Sequence, residues 1–96
     1  MQPETRFKMR AIQKLKTVPR SFWIKINQRA LRGIPDYLGV VDGRFVALEL
    51  KVGDNKTDSL QEATLKILRA AGAWTAVVYP ENLDSIVADL KQLSEG

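Results

Sequence analysis

Apolar positions change period several times along this chain, and each change marks an element. Between residues 3 and 16, Phe7, Ala11, Ile12 and Leu15 recur at helical spacing on one face. Pro3 suits the first turn of such a helix, and Glu4 sits at the favourable, positive end of its dipole. Glu4 also precedes Phe7 by three residues, so its carboxylate is expected on the core side. Thr17-Val18-Pro19-Arg20 ends the helix. From Ser21 to Asn27 the period becomes two, with Phe22, Ile24 and Ile26 alternating with Trp23, Lys25 and Asn27, as in a strand. A loop, Gln28 to Gly33, follows. Two further apolar runs, Tyr37 to Val41 and Phe45 to Leu50, flank Asp42-Gly43, the dipeptide that favours a type I′ hairpin turn.

Beyond a polar loop from Val52 to Lys56, the helical period returns from Thr57 to Ala71. Leu60, Ala63, Thr64, Ile67, Leu68 and Ala71 are its expected buried stripe; Thr57, Asp58 and Ser59 are all capping types, Ser59 and Glu62 would make a capping box, and Gly72 is its C-cap. Trp74 to Tyr79 reads as a strand closed by Pro80. Asn82 opens a last amphipathic helix with Leu83, Ile86, Val87, Leu90 and Leu93 on one face. The order of helix, three strands, helix, strand, helix describes an α/β chain whose last two strands run parallel through a right-handed crossover.

The hairpin turn fixes a register with chemical consequences. If Val41 pairs with Arg44, Asp36 falls opposite Glu49 on one face of the sheet, with Lys51 one step beyond. Leu50 points the other way and leaves its carbonyl at the sheet edge. Leu38, Val40, Phe45 and Ala47 share the carboxylate face, so the acids are expected at the end of a buried stripe. Two like charges about 5 Å apart repel by roughly 3 kcal/mol at an effective dielectric near 20. Replacing one of them, as in Asp36→Asn, is then expected to be neutral or stabilising. A divalent cation reverses the sign of that interaction, and hard oxygen ligands suit Mg²⁺ or Mn²⁺. The alternative is an Asp-Glu-Lys surface cluster, which contributes little.

Composition narrows the chemistry. Ninety-six residues, 45% hydrophobic and 27% charged, suit one soluble domain spanning 1–96. No apolar run approaches a membrane span, and Met1-Gln2-Pro3-Glu4 leads into a charged segment unlike a signal peptide, so an intracellular, cytoplasmic location is expected. The absence of cysteine and histidine excludes disulfides, thiolate zinc sites, serine-histidine triads and histidine-metal hydrolases. Carboxylate-metal chemistry is the main hydrolytic option left. Residues 1 to 32 hold nine Lys or Arg against a single acid, Glu4, whereas the rest of the chain is net acidic. A basic segment beside an acidic site suits a polyanionic substrate; a solvated basic helix is the plainer reading. Arg29 and Arg32 carry guanidinium forks close to Asp36, and with Lys25 they are the DNA-binding candidates; pairing with the site acids is the rival role for the arginines.

Ile34-Pro35-Asp36, followed after twelve residues by Glu49-Leu50-Lys51, resembles the PD-(D/E)-x-K nuclease signature. With Arg32-Gly33 ahead of Pro35 and Gln61 ten residues past Lys51, it resembles more narrowly the VRR-Nuc branch, which includes small stand-alone phage and bacterial nucleases and the nuclease domain of a eukaryotic crosslink-repair enzyme. The resemblance implies a restriction-endonuclease-like αβββαβ core with a mixed central sheet, here carrying an extra C-terminal helix. It implies a Mg²⁺- or Mn²⁺-dependent DNA endonuclease leaving a 5′-phosphate and a 3′-hydroxyl, in the cytoplasm of a bacterium or a phage-infected host. Asp36, Glu49 and the Leu50 carbonyl would bind the metal, and Lys51 would orient the attacking water. Gln61 would support the site, and Glu4 would serve a second ion. Stand-alone members of this size resemble Holliday-junction resolvases acting as homodimers on branched DNA, for which Trp23, Trp74 and the final helix are interface candidates; core packing is the rival role for both tryptophans. The rival readings are a non-catalytic nucleic-acid-binding module and a nuclease subunit of a larger repair or recombination assembly.

Overall fold

The computed structural model describes residues 2–27 and 32–95. Its elements are α1 (Pro3–Leu15), β1 (Ser21–Lys25), β2 (Tyr37–Val41), β3 (Arg44–Leu50), α2 (Ser59–Ala70), β4 (Trp74–Val78) and α3 (Leu83–Glu95). The strands form one sheet in the order β1-β2-β3-β4, antiparallel at the first two pairings and parallel between β3 and β4. This is the mixed α/β architecture that the periodicities describe.

Local chemistry explains the elements. Pro3 occupies the first turn of α1, and Phe7, Ala11 and Leu15 form its buried face. The hairpin turn has Asp42 at φ 47° and Gly43 at φ 84°, the paired positive values of a type I′ turn, and Val41 pairs with Arg44 as the spacing requires. Arg20, also at positive φ, accepts a hydrogen bond from Asp42 N at its carbonyl and places its guanidinium 3.5 Å from the Asp42 carboxylate. The strand tip is thereby tied to the end of the α1–β1 connection.

One face of the sheet presents Tyr37, Val41, Val46, Leu48, Leu50 and Val78 to a single core shared with Phe7, Ala11 and Leu15 of α1 and with Leu83, Val87 and Leu90 of α3. Leu15, Leu48, Leu83 and Leu90 are fully buried there, each stabilising the fold by about 1.5–3 kcal/mol relative to an exposed side chain. Leu48→Ala is expected to cost about 2–5 kcal/mol in a denaturant titration. α2 lies on the opposite face against β4, where Arg69 Nε donates to Thr75 Oγ1 at 3.0 Å.

Three expectations change. The buried stripe of α2 is rotated by about one residue: Gln61 and Leu65 are inside, whereas Leu60 and Ile67 are exposed. The N-cap is Asp58, one of the three capping types, and the box pairs it with Gln61 in place of Ser59 with Glu62: the Asp58 side chain accepts from Gln61 N while Gln61 Oε1 accepts from Asp58 N. Trp23 and Trp74 pack half-buried against the core, the rival reading of both tryptophans. The Trp23 ring lies over Gly39, where a Cβ would meet ring atoms at 2.4 Å, and its indole N–H donates to Leu15 O. The hairpin face bearing the acids, expected to be buried throughout, is buried only at its acid end; Val40 and Phe45 are exposed.

Candidate functional site

Asp36 stands just before β2, at the end of a connection that Gly33 and Pro35 shape. Gly33 has φ 78°, and a Cβ there would lie 2.6 Å from Leu60 Cγ, so glycine lets this loop press against α2. Pro35 is fully buried behind it. The pairing Tyr37 to Leu48, continued one step, sets Asp36 beside Glu49. Asp36 is 7% exposed and Glu49 1%. The register argument thus brings both acids, with Lys51, to the C-terminal end of β3. Because β3 is an interior strand, Leu50 lies at the end of the sheet and not at its edge.

The acids are not left to repel one another. Asp36 Oδ2 accepts a 2.7 Å hydrogen bond from Leu50 N, and the Asp36 carbonyl accepts from Ile26 N at 2.9 Å. Asp36 Oδ1 lies 3.6 Å from Lys8 Nζ, and Glu49 Oε1 lies 4.0 Å from Lys51 Nζ. Each carboxylate therefore has its own lysine, and the burial that makes a lone charge costly is offset pairwise.

Lys8 is the site residue that sequence reasoning missed. It projects from α1 between Glu4, at 3.3 Å, and Asp36. Its partial burial disfavours the charged form, but the Asp36 charge and the hydrogen bond and charge of Glu4 outweigh this and raise its pKa above the ordinary lysine value. Tyr37 is raised as well, by burial first and then by the Asp36 charge, with Lys8 acting the other way. The available signal was the Glu4–Lys8 spacing of four, which is the same spacing that ordinary surface helices use.

The other candidates are placed differently. Glu4 is exposed rather than core-facing and spends its carboxylate on Lys8. Among the described residues no three acids group together as a metal cage. Gln61 is buried, and its side-chain oxygen closes the α2 capping box. Arg32 is exposed ahead of Gly33, and Arg29 lies outside the described residues. Lys25 is placed near Asp36: with Lys8, Ile26, Asn27 and Asp36 it lines a cavity of about 390 Å³. Two lysines and an asparagine can hold an anion beside Asp36.

No helix among the described residues is long and apolar enough to cross a membrane. No protein-family model matches the chain, and no curated protein does. A solved structure described as "VRR_NUC domain" superimposes with a TM-score of 0.73 at 22% identity, covering 88% of this chain and 94% of its own. At that identity the likeness concerns the fold: the chain shares the restriction-endonuclease-like architecture of a VRR_NUC domain, in support of the resemblance carried by Pro35-Asp36 and Glu49-Leu50-Lys51.

Proposed function

We propose that this chain is a Mg²⁺- or Mn²⁺-dependent DNA endonuclease that acts on branched DNA as a homodimer. The observation that carries this reading is the convergence of Asp36 and Glu49, both nearly buried, at the end of β3 beside Lys51 and a lysine-lined cavity. The donor set fits the ion. Asp36, Glu49 and the Leu50 carbonyl are hard oxygens of the kind Mg²⁺ and Mn²⁺ take, alongside waters and phosphate oxygens.

A metal held by these oxygens would lower the pKa of a bound water and polarise the phosphoryl oxygen. The chain's own residues supply the rest. Lys51, held by Glu49 on the strand end, orients the water for attack on phosphorus and stabilises the negative charge that develops as the bond to the leaving oxygen breaks. Lys25 and Arg32 hold flanking phosphates. Lys8 lies 3.6 Å from Asp36 Oδ1 and would compete with a metal for that oxygen.

Two measurements follow from these placements. Lys8→Met is expected to tighten Mn²⁺ binding up to about fivefold, the equivalent of a partly exposed ion pair of up to about 1 kcal/mol; calorimetry showing unchanged or weaker affinity contradicts the competition. Lys25→Ala with Arg32→Ala is expected to weaken binding to every DNA shape and to flatten the slope of log K against log salt by up to about two units. An unchanged slope returns both to structural roles. The reading as a whole is tested by incubating the protein with a four-way junction, a flap and plain duplex in Mg²⁺, Mn²⁺ or EDTA. Metal-dependent cutting that favours the junction is expected, and a flap preference removes the resolvase part alone.

A further inference from the structure

The parallel pairing of β3 with β4 runs on past the strands into the site. Glu49 pairs with Val77 and Leu50 with Val78, and the Lys51 N–H continues the ladder to Val78 O at 2.9 Å. Carried one residue further, this register sets Tyr79 beside Lys51, and the alternation of side chains puts both on the sheet face that carries Glu49. Tyr79 is fixed at both ends. Its backbone N–H donates to Asn82 Oδ1 at 2.7 Å, and its hydroxyl donates to the Asn55 carbonyl at 3.0 Å, in the loop that joins β3 to α2. The ring between these two bonds is half-buried and stands outside the core. With Gly53, Asp54, Asn55 and Lys56 it lines an open cleft of about 420 Å³. Tyr37, the chain's other tyrosine, is 5% exposed and belongs to the core.

We propose that this cleft seats an unpaired nucleobase next to the cut, stacked on the Tyr79 ring. The identity of the ligand rests on the nuclease reading; the cleft and the held ring stand without it. An aromatic ring offers its π-face to any base, whatever the sequence. The volume falls within the range of about 300–1,000 Å³ common to small-ligand clefts. Asp54, Asn55 and Lys56 bring a carboxylate, an amide and an ammonium to the walls, which between them accept from and donate to the edges of a base, and the ammonium also suits a phosphate. Position decides the rest. Lys51, the neighbour of Tyr79, is the group assigned to the scissile phosphate, so the planar group delivered to the cleft is the base beside that phosphate.

Such a seat discriminates by DNA shape. Only a base that has left its own helix reaches a protein ring; in plain duplex this requires unpairing and unstacking, whereas at a branch point the pairing is already broken. Tyr79 therefore favours a branch over a duplex without reading sequence. It is a binding residue, and no bond or proton passes through it.

The test titrates protein into a splayed DNA fork carrying one 2-aminopurine at the first unpaired position, on each arm in turn, and into a duplex with the same analogue paired. EDTA is present throughout, so no cutting intervenes. The native chain and Tyr79→Phe, which keeps the ring and loses the hydroxyl, are expected to quench the fluorescence of the fork on binding. Tyr79→Leu is expected to leave it bright and to bind the fork at least about fivefold more weakly, the lower end of the loss when a stacking ring is removed, with duplex affinity unchanged. Circular dichroism should show both variants folded, since Tyr79 lies outside the core. Quenching that survives in Tyr79→Leu overturns the proposal. So does an equal loss in Tyr79→Phe, which would assign the residue to holding the loop through Asn55, and so does a loss in Tyr79→Leu shared by fork and duplex. A native chain that binds both DNAs without quenching removes the stacking and leaves the nuclease reading standing; one that binds neither removes both.

Discussion

Lys51→Ala is expected to lower the rate of DNA cleavage at least about a hundredfold, the usual loss when one preorganised charge-stabilising group is removed. DNA binding should largely survive, because the flanking phosphates are held by other cations. The geometry is the reason. Lys51 sits at the end of β3, its backbone N–H fixed to Val78 O at 2.9 Å and its ammonium 4.0 Å from Glu49 Oε1. It is therefore held beside Glu49 by a backbone anchored directly after an interior strand. Cutting at the parental rate in saturating Mg²⁺ would remove Lys51 from the chemistry.

The second large effect concerns Asp36. Repulsion between the two acids suggests that Asp36→Asn relieves the metal-free protein, but the partners of Asp36 argue for a loss instead. Asp36 accepts the Leu50 N–H and faces Lys8, so the substitution turns a charge-assisted hydrogen bond into a neutral one and leaves Lys8 without one of its two acids. A loss of about 1 kcal/mol is expected, a fall in Tm of several degrees for a domain of this size. Added Mn²⁺ should raise the Tm of the native chain and leave the variant unmoved. Thermal scans with and without Mn²⁺ read both; equal metal-induced shifts in the two proteins would free Asp36 from the site.

Much of this site is legible in the sequence because a two-residue turn transmits register without ambiguity. Asp42-Gly43 sets Val41 against Arg44, and every later pairing through Tyr37 and Leu48 follows. The α1 and α3 faces are legible for a related reason, since each meets one continuous apolar sheet face and buries the stripe that its period displays. α2 defeats the same logic. Its apolar residues exceed what the β4 side can cover, so Leu60 and Ile67 are left outward while Gln61, drawn in by the cap, takes a buried place. Periodicity shows which residues are apolar, not which surface covers them. Lys8 was hidden because its partner lies 28 residues away across the fold. Glu4 misled because an i, i+3 relation to Phe7 gave way to an i, i+4 ion pair with Lys8 in solvent.

The central claim is that Asp36, Glu49 and Lys51 form a metal-dependent hydrolytic site. It is tested most directly by cleavage of end-labelled four-way-junction DNA with native protein and Glu49→Gln, purified side by side, in Mn²⁺ and in EDTA. Glu49→Gln keeps the shape of a side chain that is 1% exposed while removing its charge, and so separates the site's chemistry from its packing. The expected result is cutting by the native chain in Mn²⁺ alone, abolished in the variant at equal DNA binding. Cleavage that persists in EDTA, that is equal in the two proteins, or that is absent from both would contradict the assignment.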